Sequence, residues 1–339
     1  MRVFNIMLAR DRGGVESMAA RYHEALAAEG YEVTSFGHPD GVLAEEAPAA
    51  SFQPLVARFD YDPTSALQLG LWINRLKPAL VLTHGGRAGG LSLLASGGRR
   101  TVQVMHNQFF KSYTRGVRAG LCVSRSVLDA ARAAYPELPL YETTNFTHLE
   151  PRPVKTPPKG PPVIGALGRL HEQKSFDLLL HALARLKADG IGFTVRIAGA
   201  GPERGALEDL RASLGLEAEV SFVGWVSPVT DFLAGLDLFV MPSHYEPFGL
   251  SLAEALAAGV PAVAAGIEGP EEILGGGRFG RLFSNRDAGA LAAALRAAMA
   301  DWPDTLRMAE EARTHALTTY SFDVGRRRLG SALGEILDR

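Results

Sequence analysis

Residues 242–261 read Pro242-Ser243-His244-Tyr245-Glu246-Pro247-Phe248-Gly249-Leu250-Ser251-Leu252-Ala253-Glu254-Ala255-Leu256-Ala257-Ala258-Gly259-Val260-Pro261. An apolar run ending at Met241 precedes them and reads as a buried strand, and from Leu250 the apolar spacing is helical. A strand, a short Pro/Gly loop and a helix make half of a βαβ unit. The backbone N–H groups of Phe248, Gly249 and Leu250 then fall at a helix start, where unpaired donors suit an anion. Gly249 lets a ligand come close to the backbone. Glu246 in the loop and Glu254 in the first helical turns put two carboxylates at one end of that helix. The same two residues could serve only to complement the helix dipole.

The pattern repeats on both sides. Toward the N-terminus, strand-like runs at 2–8, 32–36, 53–57, 79–83, 101–105 and 119–123 alternate with helical segments at 15–29, 64–76, 87–95 and 125–134. After residue 162, strands near 163–167, 193–198, 219–223, 237–241 and 261–264 alternate with helices near 175–189, 203–214, 250–258, 287–300 and 304–317. Nearly continuous apolar strands are the mark of parallel sheets covered on both faces. Between the halves, residues 151–162 hold six prolines, which can continue neither a helix nor a central strand. This predicts an α/β chain of two doubly wound, Rossmann-like domains facing across a cleft. The domains are expected at 1–155 and 156–319, with 320–338 folding back as a helix onto the first. Ligands of such sheets bind beyond the carboxyl ends of the strands.

Composition narrows the function. The chain has 339 residues, 47% hydrophobic and 21% charged, with a formal net charge of -2. That is ordinary for a globular protein and provides no overall basic field for nucleic acid. Cys122, the one cysteine, excludes a disulfide within the chain and any cysteine-clustered metal site. Its apolar setting reads as core packing. The nine histidines lack metal-ligand spacing on a helix, so no metal is expected. The N-terminal apolar run meets charge by Arg10, too early for a secretory leader, and the expected compartment is the cytoplasm.

Three further stretches carry chemistry. Gly165-Ala166-Leu167-Gly168-Arg169-Leu170-His171-Glu172-Gln173-Lys174-Ser175 links a strand to a helix and brings Arg169 and Lys174 to one loop. A guanidinium and an ammonium suit phosphate, although two solvated surface cations would look the same. Asp11-Arg12-Gly13-Gly14-Val15-Glu16 follows the first strand with the glycine pair that phosphate loops and ordinary turns share. His84 and His106 both end strands and should meet whatever binds there. Two lookalikes are set aside. Gly199-Ala200-Gly201-Pro202-Glu203-Arg204-Gly205 lacks the spacing and acidic partner of a dinucleotide site. In Asp60-Tyr61-Asp62-Pro63, Asp62 is more simply a helix N-cap before proline than a metal ligand.

The ensemble resembles the retaining, metal-independent GT-B glycosyltransferases of family 4. The likeness runs over essentially the whole chain and is strongest at 163–285. There Gly168-Arg169-Leu170, Lys174, Gly199-Ala200-Gly201-Pro202, Val220-Ser221-Phe222-Val223-Gly224 and Glu246-Pro247-Phe248-Gly249-Leu250 follow the family order. Gly13-Gly14-Val15-Glu16, Thr83-His84-Gly85 and Val104-Met105-His106 match in the first half. The resemblance implies that Arg169 and Lys174 bind the diphosphate of a nucleotide-sugar. It gives Glu254 the ribose and Glu246 the sugar hydroxyls, with the amides of Phe248, Gly249 and Leu250 on phosphate and sugar. Gly14, with Gly13 beside it, would approach the diphosphate, His106 the transferring sugar, and the Gly201 and Gly224 segments the nucleotide. Departures are Ser175, where the family usually has glycine, and Glu268-Gly269-Pro270-Glu271-Glu272 in place of Gly-Gly-x-Pro-Glu. Rival readings are a phosphorylase or sugar-nucleotide epimerase of the same fold, or a non-catalytic sugar-binding protein.

The acceptor is expected to be a glycan or a lipid-linked sugar, plausible in lipopolysaccharide or other envelope synthesis. Between 99 and 132 stand seven Lys/Arg and one acid, Asp129, interleaved with Phe109, Phe110 and Tyr113. Lys111, Arg115 and Arg118, with His84, are therefore candidates for acceptor contact or for peripheral attachment to an anionic membrane.

Overall fold

The computed structural model describes residues 1–11 and 13–339. The chain divides into two compact units, Met1–Thr147 with Tyr320–Arg339, and His148–Thr319.

The first unit runs β1 (Arg2–Met7), α1 (Gly14–Ala28), β2 (Glu32–Gly37), α2 (Val42–Glu46), β3 (Phe52–Pro54), α3 (Pro63–Leu76), β4 (Leu80–His84), α4 (Gly85–Ser96), β5 (Thr101–Met105), β6 (Ala119–Cys122), α5 (Arg125–Ala134) and β7 (Leu140–Glu142). Its seven strands pair in parallel in the order β3-β2-β1-β4-β5-β6-β7. The chain winds one way from β1 to β3 and the other way from β4 to β7. The carboxyl ends of β1 and β4 thus flank the point where the order reverses, the place where such sheets bind ligands.

The second unit runs β8 (Val163–Leu167), α6 (Phe176–Ala188), β9 (Thr194–Ala198), α7 (Arg204–Ser213), β10 (Val220–Gly224), α8 (Val229–Ala234), β11 (Leu238–Met241), α9 (Leu250–Ala257), β12 (Ala262–Ala265), α10 (Glu268–Ile273), β13 (Arg281–Phe283), α11 (Ala288–Ala300) and α12 (Trp302–Thr319). Its six-stranded parallel sheet has the order β10-β9-β8-β11-β12-β13, reversing between β8 and β11. Leu179, Leu183 and Leu186 of α6 are fully buried against Ile164, Val195 and Leu295. Truncating one such leucine costs about 2–5 kcal/mol.

The last helix, α13 (Phe322–Asp338), belongs to the first unit. Its Gly325 sits against Phe146, where a Cβ would come within 2.0 Å of the ring. Arg326 bonds Glu29 of α1 at 2.6 Å. Thr147 donates its N–H to Tyr320 O at 3.0 Å, which ties the segment's start to the same unit.

The structure corrects the expected boundary at 155/156, which falls at 147/148. The proline segment is held by the second unit through Arg152 N–H to Ala257 O at 3.3 Å and Lys155 Nζ to Leu236 O at 2.7 Å. Two edge strands of three residues, β7 and β13, and the short helices α2, α8 and α10 were not anticipated.

Candidate active site

In the second unit, reversal of strand order puts the loops after β8 and β11 side by side. The first holds Arg169 and Lys174; the second holds Glu246 and leads to α9. Lys174 Nζ donates to Glu246 Oε2, both side chains half-buried. Ser175 takes the left-handed conformation (φ 48°), which explains why glycine is the usual residue there. Its Oγ bonds His244 Nδ1 at 2.8 Å, and His244 N–H donates to Gln173 O at 3.1 Å. These contacts lock one loop to the other. Arg169 is exposed, and no carboxylate pairs with it among the described residues.

Two neighbouring loops support this pair. Leu170 N–H donates to Ala200 O at 2.9 Å and Gly168 N–H to Ala198 O at 3.0 Å. A Cβ at Gly199 would sit 1.9 Å from Gly168 O, and one at Gly201 2.2 Å from Leu170 O. The glycines of the dinucleotide lookalike are thus needed for backbone-to-backbone packing beneath Arg169. Gly199 N–H also donates to Gly224 O at 2.7 Å, which brings the end of β10 into the same set of loops. The residue after Gly224, Trp225, is 67% exposed. It was not singled out in the sequence, although an aromatic directly after a strand-ending glycine was the available signal.

Gly249 caps α9 at φ 114°, ψ 62°, a conformation closed to other residues. The first N–H groups of α9, those of Leu250 and Ser251, have no partner within the helix. Phe248 is buried and Glu254 half-buried in the second turn of α9. The Glu268–Glu272 departure keeps what the loop needs: Gly269 N–H donates to Glu246 O at 3.2 Å, and a Cβ there would meet Glu246 O at 2.5 Å. An exposed guanidinium, an ammonium braced by a carboxylate, and a helix start together suit a diphosphate with hydroxyl groups beside it.

In the first unit, the reversal point carries neutral groups. Gly14 opens α1 and Gly13 caps it in an extended conformation that any residue can adopt. Arg12 lies outside the described residues. His106, half-buried after β5, bonds through Nε2 to His84 Nδ1 at 2.9 Å, and His84 Nε2 bonds Asn5 Oδ1 at 2.9 Å. Burial holds His106 down to about 3 and His84 well below the usual imidazole range, His106 adding to the effect on His84. His84 is 1% exposed with both nitrogens engaged. It therefore supports His106 and cannot itself meet an acceptor, contrary to its sequence assignment. Asn5, inside an apolar strand, gave no sequence signal of this role.

The basic-aromatic segment is partly absorbed by the fold. Tyr113 is buried, and Phe110 packs edge-on against Tyr135. Arg118 donates to Ile336 O at 2.6 Å at the end of α13, so it is structural. Arg125 and Arg132 pair with Asp129. Lys111, 3.8 Å from Asp60, and Arg115 remain exposed, beside Phe109 at 71% exposure. Asp62 caps α3 by accepting from Thr64 N–H at 3.1 Å and Ser65 N–H at 3.4 Å, as its N-cap reading requires. Cys122 is fully buried and burial pushes its thiol up to about 12. Among the described residues, no helix is long and apolar enough to cross a membrane.

Comparison with known proteins bears on the family and the fold. The family described as glycosyl transferases group 1 matches residues 149–315, and glycosyltransferase family 4 matches residues 12–140. The lipopolysaccharide core biosynthesis glycosyltransferase LpsE of Rhizobium meliloti is 37% identical over 153 residues, 45% of this chain and 44% of that protein. Glycogen synthase of Mycobacterium tuberculosis is 35% identical over 175 residues, 51% of this chain and 42% of that protein. The chain thus spans less than half the length of either relative. Anabaena HepE, solved with UDP and glucose, superposes with a TM-score of 0.84 at 20% identity, covering 99% of this chain and all of that one. That likeness carries the fold, and the two family matches together span nearly the whole sequence: the chain belongs to the group 1 glycosyltransferases of the GT-B fold.

Proposed function

We propose that this protein transfers a sugar from a nucleoside diphosphate to a glycan or lipid-linked acceptor, with retention at the anomeric carbon and without a metal ion. The observation that carries the reading is the pairing of the β8 and β11 loops at the sheet reversal. Arg169, Lys174, Glu246 and the start of α9 converge there. Cleaving a sugar–phosphate bond builds negative charge on the departing diphosphate. Fixed cations and helix-start amides stabilise that charge. Arg169 takes one phosphate, and Lys174 turns from Glu246 to the other. Glu246 is then released toward the sugar hydroxyls and Glu254 takes the ribose. Exposed Trp225, next to Gly224, stacks on the base in this reading. His106 meets the transferring sugar. The departing phosphate accepts the acceptor proton, so no strong protein base is needed.

The likeness to LpsE supports an envelope glycan as the acceptor in this reading, with the growing glucan of a glycogen synthase as the alternative. Phe109, Lys111 and Arg115 form the surface that meets an anionic membrane or a phosphorylated acceptor. The test is turnover of a panel of nucleotide-sugars, with and without lipid-linked and glucan acceptors, in chelator. The reading requires acceptor-dependent release of nucleoside diphosphate in chelator and an unchanged anomeric configuration in the product. Phosphate-dependent release would instead indicate a phosphorylase, and release of an epimerised sugar-nucleotide an epimerase. Activity restored only by added divalent ion would overturn the metal-free mechanism.

A further inference from the structure

Beneath His106 runs a chain of polar groups through the core of the first unit. Asn5 of β1 is fully buried. Its Nδ2 donates to Ala19 O at 2.9 Å and to Ser35 Oγ at 3.2 Å. A carbonyl can only accept, so Nδ2 is fixed on that side and Oδ1 on the other. Oδ1 lies 2.9 Å from His84 Nε2, so that nitrogen must carry a hydrogen. His84 is neutral in its buried setting, which leaves its Nδ1 bare. His84 Nδ1 therefore accepts from His106 Nε2 at 2.9 Å, and that nitrogen in turn must carry the hydrogen.

The far end of the chain agrees in direction. Ser51 Oγ donates to Pro48 O at 2.9 Å and so accepts from His23 Nε2 at 3.4 Å. His23 Nδ1 then accepts from Ser35 Oγ at 2.8 Å, which leaves that hydroxyl oxygen to accept from Asn5. Two backbone carbonyls thus orient every bond in the row. The rings are also held in place. Tyr22 packs edge-on against His84 at 4.9 Å and stacks on Phe146, which Phe322 of α13 abuts.

We propose that Asn5 and His84 are positioning residues that fix the tautomer of His106. The protein thereby presents a bare Nδ1 that accepts a hydrogen bond from a hydroxyl-bearing ligand and cannot donate one. The proposal builds on the assignment of His106 to the transferring sugar, yet the tautomer itself is a property of the protein alone. A ring locked as an acceptor selects a sugar hydroxyl and turns away a carbonyl or phosphate oxygen at that position. An unanchored imidazole would divide its population between both tautomers and be competent only part of the time.

The experiment is nitrogen NMR of the full chain with labelled histidine rings, near pH 7, with His106 assigned by its loss in His106→Asn. Wild-type His106 is expected to show hydrogen on Nε2 and a bare Nδ1. Asn5→Leu, which keeps the branching and removes the acceptor, should give His106 mixed tautomers. Ser35→Ala should leave His106 unchanged, because Ala19 O still anchors Asn5. In turnover, Asn5→Leu should lower kcat by about twofold or more, in proportion to the competent fraction, with KM for the nucleotide-sugar little changed. A wild-type His106 with hydrogen on Nδ1 would overturn the proposal whatever the activity, and needs no variant to fold. An unchanged His106 in Asn5→Leu would also overturn it. Absence of turnover with an intact tautomer would instead count against the proposed function alone.

Discussion

The two units share one architecture and place opposite chemistry at the same topological point. In the second, the reversal between β8 and β11 gathers an exposed guanidinium, an ammonium, a carboxylate and a helix start. In the first, the reversal between β1 and β4 gathers two neutral histidines and an amide, nearly all of it buried. The difference teaches what each end can recognise. Charge at the surface suits a diphosphate, whose negative charge grows as its bond to the sugar breaks. Neutral groups with fixed hydrogens suit hydroxyls, which need direction more than charge. A sheet reversal therefore specifies where a site lies, and the residues placed there decide what it can bind.

The largest expected effect tests the charged end. Arg169→Ala and Lys174→Ala should each reduce kcat by roughly a hundredfold, about 3 kcal/mol, as for removal of a donor that stabilises developing charge. Melting temperatures should stay near wild type, since Arg169 is exposed and the Lys174–Glu246 pair is only half-buried. Gly201→Ala should come next. Its methyl would overlap Leu170 O and push the Arg169 loop, costing about 1–3 kcal/mol of stability and weakening nucleotide binding. Chemical unfolding and nucleotide titration of the same sample would check both effects.

The neutral end should reveal itself in acid. His84 and His106 stay neutral in the folded chain and bind protons near pH 6.5 once unfolded. Between about pH 6.5 and about 3 the unfolded state thus holds more protons, so stability falls as pH is lowered through that window. Urea midpoints at pH 7 and pH 5 should diverge more in wild type than in His84→Asn combined with His106→Asn. An equal loss in both would mean that these histidines do not carry the acid sensitivity. The smallest effect belongs to Lys111→Ser with Arg115→Ser. Each cation contributes about 1 kcal/mol or less near an anionic membrane, and the loss of vesicle binding should fade at high salt. Nucleotide affinity should not change.

Much of the charged end was legible in the sequence, because its residues lie in two short, motif-like loops. Glu246, Gly249 and Glu254 fall within nine residues, and Arg169 and Lys174 within six. The neutral end was harder to read. His84 and His106 ended strands and drew notice, but their pairing depends on β4 lying beside β5. Asn5 is one polar residue inside the apolar strand β1. Its partners are 14, 30 and 79 residues away, a separation that no local pattern encodes. Arg118 and Tyr113 misled for a related reason: their charge and aromaticity suggested a surface, whereas the returning α13 and the glycines of α4 claim them. The edge strands β7 and β13, at three residues each, are too short for an alternating pattern to register.

The central claim is that the second unit's paired loops bind a nucleoside diphosphate. The direct measurement is thermal or chemical unfolding of wild type and Lys174→Ala with UDP, GDP and ADP in chelator. One of the three should stabilise the wild-type chain by about 2.7 kcal/mol at a hundred times its dissociation constant, and do so far less in Lys174→Ala. If none of them shifts wild-type unfolding, or if the shift survives intact in Lys174→Ala, the diphosphate assignment is contradicted.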